Sequence, residues 1–373
     1  AIFPQEIWET FGLHVLFPEN NCAAVSAKHM GDQFISHSEG ELGYPINICS
    51  YARLNLGIAD TFDDPNYDYE PKLPRPDFLL LANNSCTQLM KWYENLARKL
   101  NIPIFFVDCL FNYYEEDPAP HKIKYVRSQI ENYIKDMEKF LGRKFDWDKF
   151  LEVQKRSQIN CHLFDEIVAL NQRKPAPMSG FDLFNYLAPL VLCRGKESTT
   201  AIFEQLKAEV LEHIANDTST FPAEEKYRVH WEGIACWPYL RATSTGLKSR
   251  GINMVTTIYA DAFGFDYNTF DEMIRAYCKV PNAINLEMSR DKRIKLCKDN
   301  HVEGMLVHTN RSCKLWSGFM YEMSRQIGAA CNIPVVSFDG DQADPRNFSE
   351  AQYDTRVQGL TEIMEANKAA KGV

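Results

Sequence analysis

The sequence predicts an α/β protein of two similar open parallel-sheet, Rossmann-like lobes plus a helical section. Three observations carry that expectation. The segments "DFLLLANNSCTQLMKWYENLARKLNIPIFFVD" and "VEGMLVHTNRSCKLWSGFMYEMSRQIGAACNIPVVSFDGDQ" follow one order. Each runs from an apolar stretch through an Asn-containing turn, a cysteine, a helical stretch and Ile-Pro to a second apolar stretch closing on Asp. A helix between two such strands reads as a right-handed βαβ unit with parallel strands. Between the two segments, apolar residues recur every three or four positions, the mark of packed helices. At 373 residues the chain also exceeds what one small core organises.

Taken in order, "PQEIWETFG" predicts a helix and "LHVLFP" a strand. "ENN" predicts a loop, and a further helix runs through "SAKHMGDQFISHSEG". Pro45 breaks the chain before "YPINICSYARLNLGIAD" enters a helix at or near Cys49. The Pro- and Asp-containing "DDPNYDYEPKLPRPD" is a loop leading to the strand "FLLLAN". After Cys86 the amphipathic "TQLMKWYENLARKL" precedes "IPIFFVD", expected to be a strand buried on both faces. From about Lys122 to Asn216 four helical stretches follow, interrupted by "RKPAPMSG". "KYRVHWEGI" and "INMVTTIYA" open a second α/β unit, which "EGMLVHT", the helix after Cys313 and "IPVVSFD" complete. Residues from about Glu365 are expected to fray. The domains predicted are 1–121 with Cys49 and Cys86, a mainly helical 122–221, and 222–373 with Cys313.

Composition excludes several functions. A net charge of −9, with both signs interspersed, does not suit a nucleic-acid surface. The longest apolar runs fall far short of the ~20 residues that cross a membrane. No secretory signal pattern opens the chain. The missing initiator Met raises the expectation that its true beginning lies upstream. The cysteines number 11, an odd count at wide spacings without a CxxC pair, so neither a disulfide framework nor a zinc ribbon is expected. A reducing cytoplasm fits better. There, scattered cysteines ordinarily serve as small buried hydrophobes unless several converge on a metal.

Cys86 and Cys313 fall at matched positions, at the carboxyl end of a strand where a helix begins, and Cys49 falls at a third helix start. Doubly wound sheets bind ligands at that edge. The free N–H groups of a helix start are expected to lower a thiol's pKa and prepare it as a ligand. Three converging thiolates with no paired His suit an iron–sulfur cluster better than zinc, whose structural sites close with four protein ligands. Spacing alone leaves fold duplication with incidental cysteines open.

The words around these cysteines narrow the choice. "IFPQEIWETFGLHVLFPENN", "INICSYARLNLG", "NNSCTQLMKWYENLARKLNIP", "GFDLFNYLAPLVLCRGKESTT", "CWPYL", "NRSCKLWSGFMYEMSRQ" and "FDGDQADPRNFSEAQYDTRVQGLTEIME" closely resemble the (R)-2-hydroxyacyl-CoA dehydratase family, relatives of the benzoyl-CoA reductases. The likeness runs from residue 2 to about residue 366. It leans toward the substrate-binding iron–sulfur subunit of the 2-hydroxyisocaproyl-CoA type. The resemblance implies a heterodimer with a homologous second subunit. It also implies a 4Fe–4S cluster held by Cys49, Cys86 and Cys313, with the fourth iron open to water, hydroxide or the substrate carbonyl. A separate ATP-dependent iron–sulfur activator would inject one electron. The chain itself lacks a GxxxxGK[ST] loop, since "CRGKEST" misses the first glycine. The implied reaction is syn-dehydration of a 2-hydroxyacyl-CoA to an (E)-2-enoyl-CoA through a ketyl radical, within anaerobic amino-acid fermentation.

Glu19, in "FPENN", is the candidate acid or base; a loop residue capping the next helix is its ordinary alternative. The resemblance also implies an active-site serine just before the Ile-Phe-Pro segment; Ala1 holds that place here, so either the serine is absent or the true start of the chain differs. Cys236 is expected to pack beside Trp237, and Cys109 to lie a full helix beyond Cys86. Cys22, Cys161, Cys193, Cys278, Cys297 and Cys331 read as core or surface residues. Arg311 and Lys314 are candidates for charge contacts with the cluster or CoA phosphates, or are solvated helix-start residues. Asp339, Asp341, Gln342 and Asp344 form an acidic loop better suited to capping than to substrate contact. The nine His residues show no metal-ligand spacing. A benzoyl-CoA-reductase-like subunit and a non-catalytic α/β binding protein are the rival readings.

Overall fold

The computed structural model describes residues 2–114 and 117–372. It opens with four helices, α1 (Gln5–Phe11), α2 (Pro18–Ala27), α3 (Asp32–Gly40) and α4 (Ser50–Asp60). Strand β1 (Leu79–Ala82), helix α5 (Gln88–Leu100) and strand β2 (Ile104–Val107) form the first βαβ unit. Four long helices follow: α6 (Pro120–Leu141), α7 (Trp147–Leu170), α8 (Gly180–Cys193) and α9 (Glu197–Ala215). Next come β3 (Tyr227–Glu232), α10 (Leu240–Lys248), β4 (Ile252–Thr257), α11 (Ile258–Asp261), α12 (Phe270–Tyr277) and α13 (Leu286–Asp299). β5 (Gly304–Asn310), α14 (Lys314–Cys331), β6 (Val335–Gly340) and α15 (Glu350–Lys371) complete the described chain.

The two matched segments fold alike, for a reason visible in their side chains. In α5, Leu89, Trp92, Tyr93, Leu96, Ala97 and Leu100 are buried at helical spacing, so one face of the helix packs against β1 and β2. Both helices stop on an Asn in the left-handed region, Asn101 with φ 53° and Asn332 with φ 52°. In each, the next residue closes the turn backwards: Ile102 N–H donates to the Ala97 carbonyl and Ile333 N–H to that of Gly328, both at 3.0 Å. The repeated Asn-Ile-Pro is therefore a helix stop that feeds a strand.

β1 and β2 pair in parallel as a two-stranded sheet, and β4-β3-β5-β6 form a four-stranded parallel sheet. Strand order reverses between β3 and β5, which puts a ligand crevice at their carboxyl ends. Apolar cores cover both faces of the larger sheet. One contains Phe181, Phe184, Leu247 and Tyr353 from α8, α10 and α15; the other contains Cys297, Trp316 and Met323 from α13 and α14. Gly180 lets α8 press onto β4, because a Cβ there would lie 1.7 Å from the Met254 carbonyl oxygen.

Several expected elements differ. Residues 13–17 join no strand ladder among the described residues, and Pro18 instead starts α2, which takes in "ENN". The helix expected through residues 26–40 divides at His29, whose φ is 57°. β2 is only half-buried: Phe105 packs against the core that includes Ile123 and Val126 of α6, whereas Phe106 on the other face is 41% exposed. The expected frayed tail is helical through Lys371. Lys368 pins it, pairing with Glu303 at 3.0 Å and lying 4.6 Å above the Tyr227 ring. No described helix is long and apolar enough to cross a membrane.

Candidate functional site

Cys49 and Cys313 are the cap residues from which α4 and α14 start, and Cys86 lies two residues before α5. Cys86 and Cys313 thus follow the carboxyl ends of β1 and β5. Although 264 positions separate the outer pair in sequence, the fold sets all three cysteines on the wall of one cavity of about 140 Å³. Ile234, from the turn after β3, lines the same space, so the cavity opens at the point where strand order reverses. Glu19 joins them from the first turn of α2 rather than from a strand end, and its Oε2 accepts a hydrogen bond from the Tyr93 hydroxyl at 3.0 Å.

The rest of the wall was not legible in sequence. Tyr51, Leu89, Trp92, Tyr259, Phe263 and Trp316 contribute a largely aromatic surface. Tyr259 lies just past the end of β4 and Tyr51 just past Cys49; strand-end position is the signal that could have singled Tyr259 out. Asn282 also lines the cavity. Its amide donates to the Ser85 carbonyl at 2.9 Å, while its Oδ1 is buried without a partner among the described residues. No Lys, Arg or His stands among the described lining residues.

The expectation of acidified thiols is overturned. Burial pushes the Cys49 thiol up to about 12 and raises Cys86 and Cys313 as well. The helix-start amides act in the expected direction: Tyr51 and Ala52 donate toward Cys49, Gln88 and Leu89 toward Cys86, and Trp316 toward Cys313. Desolvation nevertheless outweighs them. Such thiols ionise readily only with a metal's positive charge beside them.

The remaining candidates separate cleanly. Cys236 is buried outside the cavity wall, and its Sγ meets the Asp341 carbonyl oxygen at 3.4 Å. Cys109 is buried in the core under α6 and α7. Arg311 pairs with Asp339 at 2.6 Å, and Lys314 donates to the Arg311 carbonyl; neither lines the cavity. From the acidic loop, Gln342 does line it, with its Nε2 3.0 Å from Cys49 Sγ. The Ala1 position lies outside the described residues.

Among the described residues, no three His, Cys, Asp or Glu side chains approach closely enough to share a single metal ion. A cubane cluster asks for a different arrangement, since each thiolate binds its own iron and the ligands come from distant segments. An all-sulfur donor set, backbone N–H groups aimed at each sulfur and water-poor walls fit that group.

Comparison with known proteins finds relatives that match almost the whole chain. The (R)-phenyllactyl-CoA dehydratase alpha subunit of Clostridium sporogenes is 46% identical over 369 residues, covering 99% of this chain and 89% of the relative. The (R)-2-hydroxyisocaproyl-CoA dehydratase alpha subunit of Clostridioides difficile is 42% identical, covering 99% and 90%. The alpha subunit of (R)-2-hydroxyglutaryl-CoA dehydratase from Acidaminococcus fermentans is 38% identical, covering 99% and 92%. Residues 1–364 match the 2-hydroxyglutaryl-CoA dehydratase D-component family, and the chain belongs to it.

Proposed function

We propose that this chain is the substrate-binding subunit of an (R)-2-hydroxyacyl-CoA dehydratase, a hydro-lyase that forms the (E)-2-enoyl-CoA. One observation carries the reading: Cys49, Cys86 and Cys313 meet Glu19 on one apolar wall at the sheet's switch point. The three cysteines would hold a 4Fe–4S cluster. When bound, that group supplies an open Lewis-acidic iron and one-electron chemistry, by way of a ketyl radical anion of the thioester.

The protein's own groups do the rest. Glu19 moves the proton, taking it from carbon 3 of the acyl chain or giving it to the departing 2-hydroxyl, so that water is lost overall. The Tyr93 hydroxyl holds Glu19 in place through its Oε2. Asn282 Oδ1, without a partner among the described residues, accepts the substrate's 2-hydroxyl. The Trp92, Tyr259, Phe263 and Trp316 rings keep water away from reactive intermediates.

The acyl group is apolar, aromatic or branched, because the described lining is mostly apolar and aromatic: Leu89, Trp92, Tyr259, Phe263, Leu315 and Trp316. The two relatives above 40% identity are named for phenyllactyl and hydroxyisocaproyl substrates, in keeping with this. Their alpha-subunit names support a heterodimer with a homologous second subunit. A separate ATP-dependent iron–sulfur activator supplies the electron. Free cysteines throughout suit a reducing cytoplasm.

The test is iron and acid-labile sulfide per chain after anaerobic purification with the partner subunit, together with turnover of (R)-phenyllactyl-CoA. Close to four of each and catalytic ATP demand support the reading. ATP consumed at every turnover points instead to a benzoyl-CoA-reductase-like subunit. Absence of iron removes the mechanism and leaves a non-catalytic binding protein.

A further inference from the structure

The turn that follows β6 reaches across to both cysteine-bearing helix starts. Asp341 is fully buried, and its carboxylate accepts four hydrogen bonds. Two come from its own loop, the N–H groups of Ala343 at 3.1 Å and Asp344 at 3.2 Å. The others come from the residues beside the two cysteines: the Ser50 hydroxyl at 2.5 Å and the Ser312 N–H at 3.0 Å. The Ser312 hydroxyl in turn accepts the Ser50 N–H at 3.0 Å. One carboxylate therefore sets the start of α4 against the start of α14.

Gln342 continues the same device. Its Oε1 accepts from the buried Asn310 amide at 2.8 Å, which turns Nε2 toward Cys49 Sγ at 3.0 Å. Asn310 ends β5, three residues before Cys313, so the aim of this donor is set by the strand that carries another of the three cysteines.

We infer that the Asp341–Gln342 turn is the positioning element of the three-cysteine site: Asp341 fixes the spacing of Cys49 and Cys313, and the Gln342 amide tunes the Cys49 sulfur. This rests on the cluster reading above. A donor to a ligating sulfur favours the more negative, reduced form and raises the reduction potential. Gln342→Met keeps the length of the side chain and removes the N–H.

The experiment is an EPR-monitored redox titration of the anaerobically purified heterodimer, with iron release to a ferrous chelator followed in parallel. In Gln342→Met the iron content stays at the wild-type value. The reduced form is disfavoured about tenfold, a downward shift of about 59 mV for one electron. Asp341→Asn weakens the tie between the helix starts, and iron leaves about ten times faster. Asp341→Glu, which keeps the charge, restores part of the retention. An unshifted potential in Gln342→Met, with unchanged iron release in Asp341→Asn, overturns the inference while the cluster stands. A wild-type heterodimer without iron overturns the cluster reading itself, and the inference with it.

Discussion

Arg53, buried within α4 one turn after Cys49, meets the Asp344 carboxylate at 3.0 Å across 291 positions of sequence. Glu39 joins the pair from α3, bonded to Arg53 and, at 2.6 Å, to Arg346. Arg346 also holds Asp344 at 2.6 Å. These charges tie the helices around Cys49 to the loop that follows β6. Without Arg53, Glu39 and Asp344 keep Arg346 as their shared cation, so the loss is that of the charged hydrogen bonds Arg53 makes, about 1.5–3 kcal/mol. Arg53→Ala is expected to lower unfolding free energy by that amount in urea titration. A loss under 1 kcal/mol would show that water replaces the guanidinium.

A second buried pair gives the protein an acid-sensitive margin. Burial works against the charge on Glu232, but Arg293, at 2.7 and 2.9 Å, and His230, at 3.1 Å, outweigh it and hold the carboxyl down to about 2. Since the folded value lies below the ordinary 4.5, the contribution is present above pH 4.5 and lost as pH falls from there toward 2. It amounts to roughly 3 kcal/mol at most. Glu232→Gln should be less stable at neutral pH and flatter in this acid range, as read by denaturant melts at each pH. The pair matters to the site because the Arg293 guanidinium lies 5.5 Å from the ring of Trp316, a cavity wall.

The three cysteines and Cys236 make a matched set for substitution. Ala at Cys49, Cys86 or Cys313 should each abolish stable iron binding in the anaerobic heterodimer. Cys236→Ala should retain it, because that thiol is spent on the Asp341 carbonyl outside the cavity. Iron lost in Cys236→Ala and kept in Cys86→Ala would reassign the ligands.

Glu19 is expected to act on the reaction and not on the fold. Glu19→Gln keeps the shape of the side chain and, through its carbonyl, the acceptor for the Tyr93 hydroxyl. Loss of the proton-transfer group should lower kcat by about 10²–10⁴ with iron content unchanged. An unaltered kcat would return Glu19 to the capping role.

Acyl preference follows from the apolar and aromatic lining, Leu89, Trp92, Tyr259, Phe263 and Trp316. Aromatic or branched 2-hydroxyacyl-CoA substrates should exceed a 2-hydroxydicarboxylic one by about 10-fold or more in kcat/KM, since burying apolar groups on this wall is favourable and burying a second carboxylate is costly. Equal turnover of both would place the acyl chain elsewhere.

What could be read from sequence was whatever local chemistry specifies. The period of Leu89, Trp92, Tyr93 and Leu96 makes α5, and Asn101 and Asn332 stop their helices by themselves because Asn tolerates the left-handed region. The family motifs, too, are contiguous words. The mostly apolar run at 13–17 misled, since a strand exists only where another strand pairs with it, and none does among the described residues. The tail from residue 365 misled in the opposite sense, held helical by Glu303 and Tyr227 far away in sequence. The sequence by itself determined the βαβ units, the helix starts and the cysteines placed on them. Only the tertiary structure decided that Tyr259 and Trp316 form the wall, and that the Asp341 carboxylate and the Gln342 amide reach the helix starts at Cys49 and Cys313. Those contacts join residues far apart in sequence, and no spacing along the chain encodes which buried atoms then lack a partner.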